Sequence, residues 1–305
     1  MGLLAYYNLL SFYKLMLACL LHYTATVYIS NCMVYWYPMS VDEIFLKTAL
    51  SPLNRARIQL PDGYNRAASG HASGDFFDQK VYDILKESIP SKVFRQYELL
   101  NDLYSKNTKT LQESEKVLLF KSPTAHFLLS RGDSASRAWS LSNPFQEKQN
   151  DTADVVILDD TTFNILDIKT RSLSKKGQPP NIISSYKLAQ MCCYLLENED
   201  YASLNIFYIA INWLYDGGSQ VCESFEIINL FKIPPNKENL YINWAAALQV
   251  QFHATDVEQT YSNSKNKRSW CLDYLNYYIN SAKSRISYME SKFIEPFEKY
   301  LKLYS

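Results

Sequence analysis

The clearest signal in the chain is a pair of apolar runs joined by a polar turn. Val155-Val-Ile-Leu158 is continuously apolar and of strand length, Asp159-Asp-Thr-Thr162 supplies turn residues, and Phe163-Asn-Ile-Leu-Asp-Ile-Lys169 reads as a second strand. Two short strands separated by such a turn predict a β-hairpin. Upstream, the small-residue stretch Ser69-Gly-His-Ala-Ser-Gly74 reads as a loop leading into a helix. Phe77, Val81, Ile84 and Leu85 place that helix's apolar positions three or four residues apart. Residues 95–131 read as mostly helical, with a break at Ser122-Pro123. Residues 171–181, polar and holding Gly177, Pro179 and Pro180, form a loop, and a helical period runs from Ile182 to Glu197. Phe207 to Trp213 and Cys222 to Ile228 are further strands. Trp270 to Leu303 is a long aromatic-rich helical region, bent near Pro296. There is no internal repeat and no linker long enough to divide the chain. These elements predict one mixed α/β (α+β) domain over residues 39–305, a mixed central sheet flanked by helices, with added helices at the end.

The first 38 residues stand apart. They carry one charge, Lys14, and no acid, and the uncharged run from Leu15 to Val41 is long enough to span a bilayer. Yet the segment is crowded with tyrosines (Tyr6, Tyr7, Tyr13, Tyr23, Tyr28, Tyr35, Tyr37) and holds Asn8, His22 and Asn31. Membrane spans favour Leu, Ile, Val and Phe. Met39-Ser-Val-Asp-Glu-Ile-Phe45 then opens like a soluble helix. The expectation is that translation starts at Met39 and that residues 1–38 are read from an upstream start codon; the alternative is a membrane segment. A cytoplasmic enzyme follows from the first.

Composition narrows the class. At 305 residues, 47% hydrophobic and 14% aromatic, the chain can bury a sizeable core. Equal numbers of basic and acidic residues, 31 each, do not exclude DNA as a partner, because binding needs a local positive groove and not a positive total. The six cysteines (Cys19, Cys32, Cys192, Cys193, Cys222, Cys271) form no C-x-x-C pair and the four histidines lie far apart, so zinc chemistry is not indicated.

The hairpin carries the candidate chemistry. Residues two apart on a strand share a face, so Asp167 and Lys169 point together while Ile168 turns into the core. A hairpin can bring Asp154, just before the first strand, beside Asp167. Two neighbouring carboxylates repel unless a cation lies between them, and a few carboxylates completed by water suit Mg²⁺. Such a pair can serve phosphodiester hydrolysis, with Lys169 orienting the attacking water and neutralising developing charge. Asp78, on the helix after the glycine stretch, is a possible auxiliary acid. No phosphate-binding loop, dinucleotide fingerprint or serine nucleophile elbow is present in the sequence.

Asp154, Asp167 and Lys169 together resemble the PD-(D/E)xK nucleases. Longer segments narrow the resemblance: Ser69-Gly-His-Ala72, Tyr97 to Leu103, Leu128 to Gly132, Glu147 to Asp154, Leu166 to Arg171, Pro180 to Gln190 and Leu240 to Ala247. These resemble the HincII/HindII type II restriction endonucleases, from about residue 65 to the C-terminus. The resemblance implies a homodimer that recognises GTYRAC in double-stranded DNA, cuts it centrally to blunt ends and works beside a cognate DNA methyltransferase. It implies metal-binding roles for Asp154 and Asp167 and a catalytic role for Lys169. It also implies a DNA-wedging Gln178 and DNA-reading roles for Asn181, Tyr241 and Asn243. Two departures stand out: Gly177 replaces the family's alanine before the wedge, and Asp78 replaces its glutamate. The competing expectations are a RecB-like exonuclease, whose Q-x-x-x-Y pattern Gln190-Met-Cys-Cys-Tyr194 fits, and an inactive membrane-anchored interaction protein.

Overall fold

The computed structural model describes residues 40–60, 70–96, 98–99, 121–129, 152–174, 181–245, 248–252, 257, 259–261 and 266–304, with a two-residue pairing of Tyr28–Ile29 and Cys32–Met33. Gln178, Gly177, Pro179 and Pro180 lie outside the described residues, as do most of residues 1–38.

A six-stranded sheet is the frame. Its strands are β1 (Arg57–Gln59), β2 (Val93–Phe94), β3 (Val155–Asp159), β4 (Thr162–Ser172), β6 (Leu204–Asp216) and β7 (Ser219–Asn229), in the order β1-β7-β6-β4-β3-β2. A second sheet holds β5 (Asn181–Ser184), β8 (Tyr241–Asn243) and β9 (Gln249–Gln251), in the order β8-β9-β5. The expected hairpin forms β3 and β4, in antiparallel register from Val155 opposite Leu166 to Asp159 opposite Thr162. Its turn is sharp enough to hold Asp160 at φ 50°, a backbone region that aspartate tolerates better than most residues. β4 pairs with β6 in parallel, so the chain must cross over between them, and α4 (Ser185–Asn198) makes that crossing. β6 and β7 then return as a hairpin through Gly217 and Gly218, both at positive φ.

The sheet is buried on both faces, which explains why β3 and β6 read as nearly continuous apolar runs. Leu166, Ile168, Ile209 and Ile211 face a core with α1 (Glu43–Ala49) and α2 (Gly70–Ser88). Phe163, Ile165, Tyr208 and Ala210 face the opposite core, shared with α4 and α5 (Lys267–Met289). α1 opens on Asp42, whose side chain accepts from the Phe45 N–H at 2.8 Å. α3 (Pro123–Leu129) fills the gap beside α4, with Phe127 stacked on Tyr194 at 4.6 Å.

Two boundaries differ from expectation, at Gly70 and at Asn181–Ser184. Backbone from Gly70 onward is already helical, so the small-residue stretch begins α2 instead of leading to it. The expected break at Ser122-Pro123 is where a helix starts: the Ser122 hydroxyl accepts from the Ala125 N–H, and proline suits a first helical position, while residues 100–120 lie outside the described residues. Asn181–Ser184 is strand, not the first turn of α4. There β5 takes three steps, from Asn181 to Ser184, against the two steps from Gln249 to Gln251 on β9. The extra residue is a bulge, and it lets Ile182 and Ile183 both turn inward. At the C-terminus a single π-turn, Glu290–Ile294, separates α5 from α6 (Glu295–Tyr304), next to Pro296, which has no N–H to donate. Among the described residues, no helix is long and apolar enough to cross a membrane.

Candidate active site

Asp154 sits one step beyond the paired end of β3. Its backbone N–H still donates to the Leu166 carbonyl at 3.0 Å. The next ladder position is taken by its side chain, which accepts from the Ile168 N–H at 2.7 Å. A carboxylate thus replaces a strand carbonyl and lies against β4 beside Asp167. Asp167 and Lys169 share one face, with the Lys169 Nζ 2.7 Å from an Asp167 oxygen, while Ile168 points into the apolar core on the other side. The structure therefore brings Asp154, Asp167 and Lys169 together at the open end of the hairpin, away from its turn.

Two neighbouring side chains hold this end in place, and neither stands out in the sequence. Gln96 is buried, and its carbonyl accepts from the N–H groups of Thr152 and Ala153 at 2.9 and 2.8 Å, while its amide donates to Leu129. The residues entering β3 are thereby fixed. Arg95 donates to the Asp154 carbonyl at 3.1 Å and to Gln79, ion-pairs with Asp78, and stacks over the Tyr82 ring at 4.4 Å. Asp78 is therefore neither a metal-facing acid alone nor a solvent-facing one; it is a partly buried partner of Arg95. Arginine and glutamine are too common for a lone Arg-Gln pair to be noticed, and only tertiary contact reveals these two. Removing one partner of a largely buried ion pair typically costs about 3 kcal/mol. Arg95→Ala should lower stability to urea by about that much. An unchanged urea curve would show that the entry to β3 is fixed without Arg95.

The electrostatics of the cluster are those of two crowded, buried carboxylates beside an ammonium. Burial, and then the facing Asp167 carboxylate, push Asp154 up to about 7. Burial likewise raises Asp167; Lys169 opposes the rise and Asp78 adds to it. Lys169, which burial alone would pull down, is held above its ordinary value by Asp167 and Asp154. Without a cation the cluster therefore favours retaining a proton. A carboxyl with higher proton affinity in the folded than in the unfolded chain stabilises the fold only while protonated. That contribution is complete below about pH 4 and is lost as pH rises through about 7. With chelator present, the thermal midpoint should fall between about pH 5 and about pH 8, by an amount equivalent to a few kcal/mol, since each tenfold in proton affinity is ~1.4 kcal/mol. Mg²⁺ should restore it at the upper end. A chelator-insensitive midpoint, flat over that range, would contradict this account.

Two carboxylates are a donor set that fits Mg²⁺, which is commonly held by one or two carboxylates plus the phosphates of its substrate. Among the described residues no cluster of three or more His, Cys, Asp or Glu suggests a richer site. Cys192, Cys193, Cys222 and Cys271 are free thiols.

The other expected site residues gather on the three-stranded sheet. Asn181 opens β5 and is exposed. Tyr241 and Asn243 occupy β8, on the side opposite the buried Ile242, with Tyr241 exposed. Tyr241 stands opposite Gln251 on β9, and Gln251 stands opposite Asn181. One row thus crosses three strands.

A mixed sheet with charge gathered at one end of its central hairpin has the restriction-endonuclease architecture. A family model described as restriction endonuclease HincII matches residues 56–301. The type II restriction enzyme HindII of Haemophilus influenzae (strain ATCC 51907 / DSM 11121 / KW20 / Rd) is 44% identical over 233 residues, which is 76% of this chain and 89% of the relative. The type II restriction enzyme HincII of Haemophilus influenzae is 43% identical over the same length and shares. The chain belongs to the HincII family of type II restriction endonucleases.

Proposed function

We propose that this chain is a Mg²⁺-dependent endonuclease that acts as a homodimer on double-stranded DNA, recognising GTYRAC and cutting at its centre to leave blunt ends. The observation that carries the reading is the convergence of Asp154, Asp167 and Lys169 at one end of the β3–β4 hairpin. Asp154 and Asp167 would hold the Mg²⁺, which when bound lowers the pKa of a water and neutralises charge on the scissile phosphate. Lys169, whose Nζ lies 2.7 Å from Asp167, would orient the attacking water and balance the charge that develops on the phosphorus oxygens. Burial of the cluster strengthens each of these interactions relative to bulk water.

A palindromic target supports the homodimer, since each chain carries one such cluster and two strands are to be cut. Gln178 would wedge into the duplex, and Asn181, Tyr241 and Asn243 would contact its bases. The central pyrimidine–purine step is readily deformed, so acceptance of either YR combination there fits recognition by shape. Host DNA would be protected by a cognate methyltransferase. A cytoplasmic location belongs to the same reading, and fractionation of cells tests it.

The decisive experiment is to digest a plasmid of known sequence with Mg²⁺ and to map the ends. Discrete fragments with blunt ends inside GTYRAC are expected from circular and linear DNA alike. Progressive loss of linear DNA with closed circles spared would replace this reading with an exonuclease, and no cleavage would remove it.

A further inference from the structure

The three-stranded sheet carries a line of amides whose orientations are fixed from one end. The backbone N–H of Ala245 can only donate, and it donates to the Asn243 Oδ1 at 3.1 Å. Asn243 must therefore turn its Nδ2 the other way, towards the Gln251 Oε1 at 3.4 Å. Gln251 then turns its Nε2 towards the Asn181 Oδ1 at 2.7 Å. With that oxygen engaged by Gln251, the amide nitrogen of the exposed Asn181 is the group left to meet another partner. Gln251 is 7% exposed, while Asn181, at the start of the edge strand β5, is exposed. One main-chain donor thus sets three side-chain amides across β8, β9 and β5.

We propose that Gln251 is a positioning residue for sequence discrimination: it holds Asn181 with its NH₂ outward, so that Asn181 reads a hydrogen-bond acceptor on a base edge, and it couples that reader to Asn243. This rests on the three-stranded sheet facing DNA in a site-specific nuclease. Acceptors such as guanine N7 and O6 or adenine N7 are what an outward amide N–H can select, and donors such as the cytosine amino group are what it rejects. Glutamine suits the middle place because it must both accept from Asn243 and donate to Asn181. Glutamate, of the same shape, would accept on both sides and require Asn181 to turn its NH₂ inward, leaving an oxygen outward. Methionine would fill similar space and transmit nothing.

The test compares Gln251→Glu, Gln251→Met and Asn181→Asp in the full chain. The substrates are a short duplex with the site mapped for the unmodified protein and a set with each base pair changed in turn. kcat and KM are read for each substrate, with the thermal midpoint alongside. Gln251→Met should lower discrimination at one pair position by at least about tenfold, which corresponds to ~1.4 kcal/mol. Gln251→Glu should shift preference at that same position towards a donor-bearing base. Asn181→Asp keeps the oxygen that Gln251 engages and changes only the outward group, so it should lose discrimination at the same position. Being exposed, it also keeps the test decisive if an interior variant fails to fold. A wild-type discrimination profile in Asn181→Asp, or in a folded Gln251 variant, would overturn the proposal and leave the amide line as a brace for the small sheet. Absence of discrete cutting by the unmodified protein would overturn the nuclease reading itself, and this inference with it.

Discussion

Asp167→Ala is expected to leave plasmid DNA uncut under conditions in which the unmodified protein digests it to completion. Asp167 is the meeting point of the cluster: it faces Asp154, pairs with Lys169 at 2.7 Å, and lies on the central hairpin of a sheet buried on both faces. Its removal takes away half of the carboxylate set proposed for Mg²⁺ and leaves Lys169 without its nearest counter-charge. DNA binding, measured with Ca²⁺ in place of Mg²⁺, should persist, because the small sheet does not depend on this residue. Asp167→Asn separates chemistry from folding. It removes a charge that burial disfavours while keeping the shape, so in chelator near pH 8 the variant should melt above the parent. Cleavage by Asp167→Ala within about tenfold of the parent would dismiss the acidic pair as the reacting centre.

Lys169→Ala is the second large effect. Loss of a single oriented donor that stabilises developing negative charge commonly costs about 10²–10³ in kcat. A decrease of at least that size is expected, with KM changed far less, since the ammonium sits on Asp167 at the reacting end and not on the small sheet. The loss of its charge also leaves two buried carboxylates opposed only by a bound cation. With no ammonium competing for those carboxylates, the variant should bind Mg²⁺ more tightly and need less of it for half-maximal rate than the parent. A shift in KM alone, with kcat and the Mg²⁺ requirement intact, would place Lys169 in DNA binding instead of in the chemistry.

The hairpin was legible in the sequence because burial on both faces leaves an unmistakable apolar run, and because a strand's two-residue period fixes which side chains point together. Asp167 and Lys169 therefore share a face in the structure as they do in the pattern, and Ile168 is buried between them. The strand at Asn181–Ser184 was hidden by its bulge, since two successive inward isoleucines mimic the start of an amphipathic helix. Arg95 and Gln96 left no signal, because each acts through contacts distant in sequence. Gln251 left a faint one. Gln249-Val-Gln-Phe252 alternates polar and apolar, which is strand-like, but four residues are too few to separate from chance.

The way Asp154 ends β3 has a consequence for quality control during folding. Near the open end of the hairpin, side chains on β4 alternate between an apolar core and the charged cluster, so sliding β4 by one residue against β3 would exchange their occupants. Ile168 would then face the acids and Asp167 and Lys169 would enter the apolar core, while Asp154 would lose the amide that steadies it. The penalty for wrong pairing and the loss of activity arise from the same displacement. A molecule able to survive as a folded nuclease is thus one whose cutting groups are already aligned, and misaligned copies are removed by their own instability.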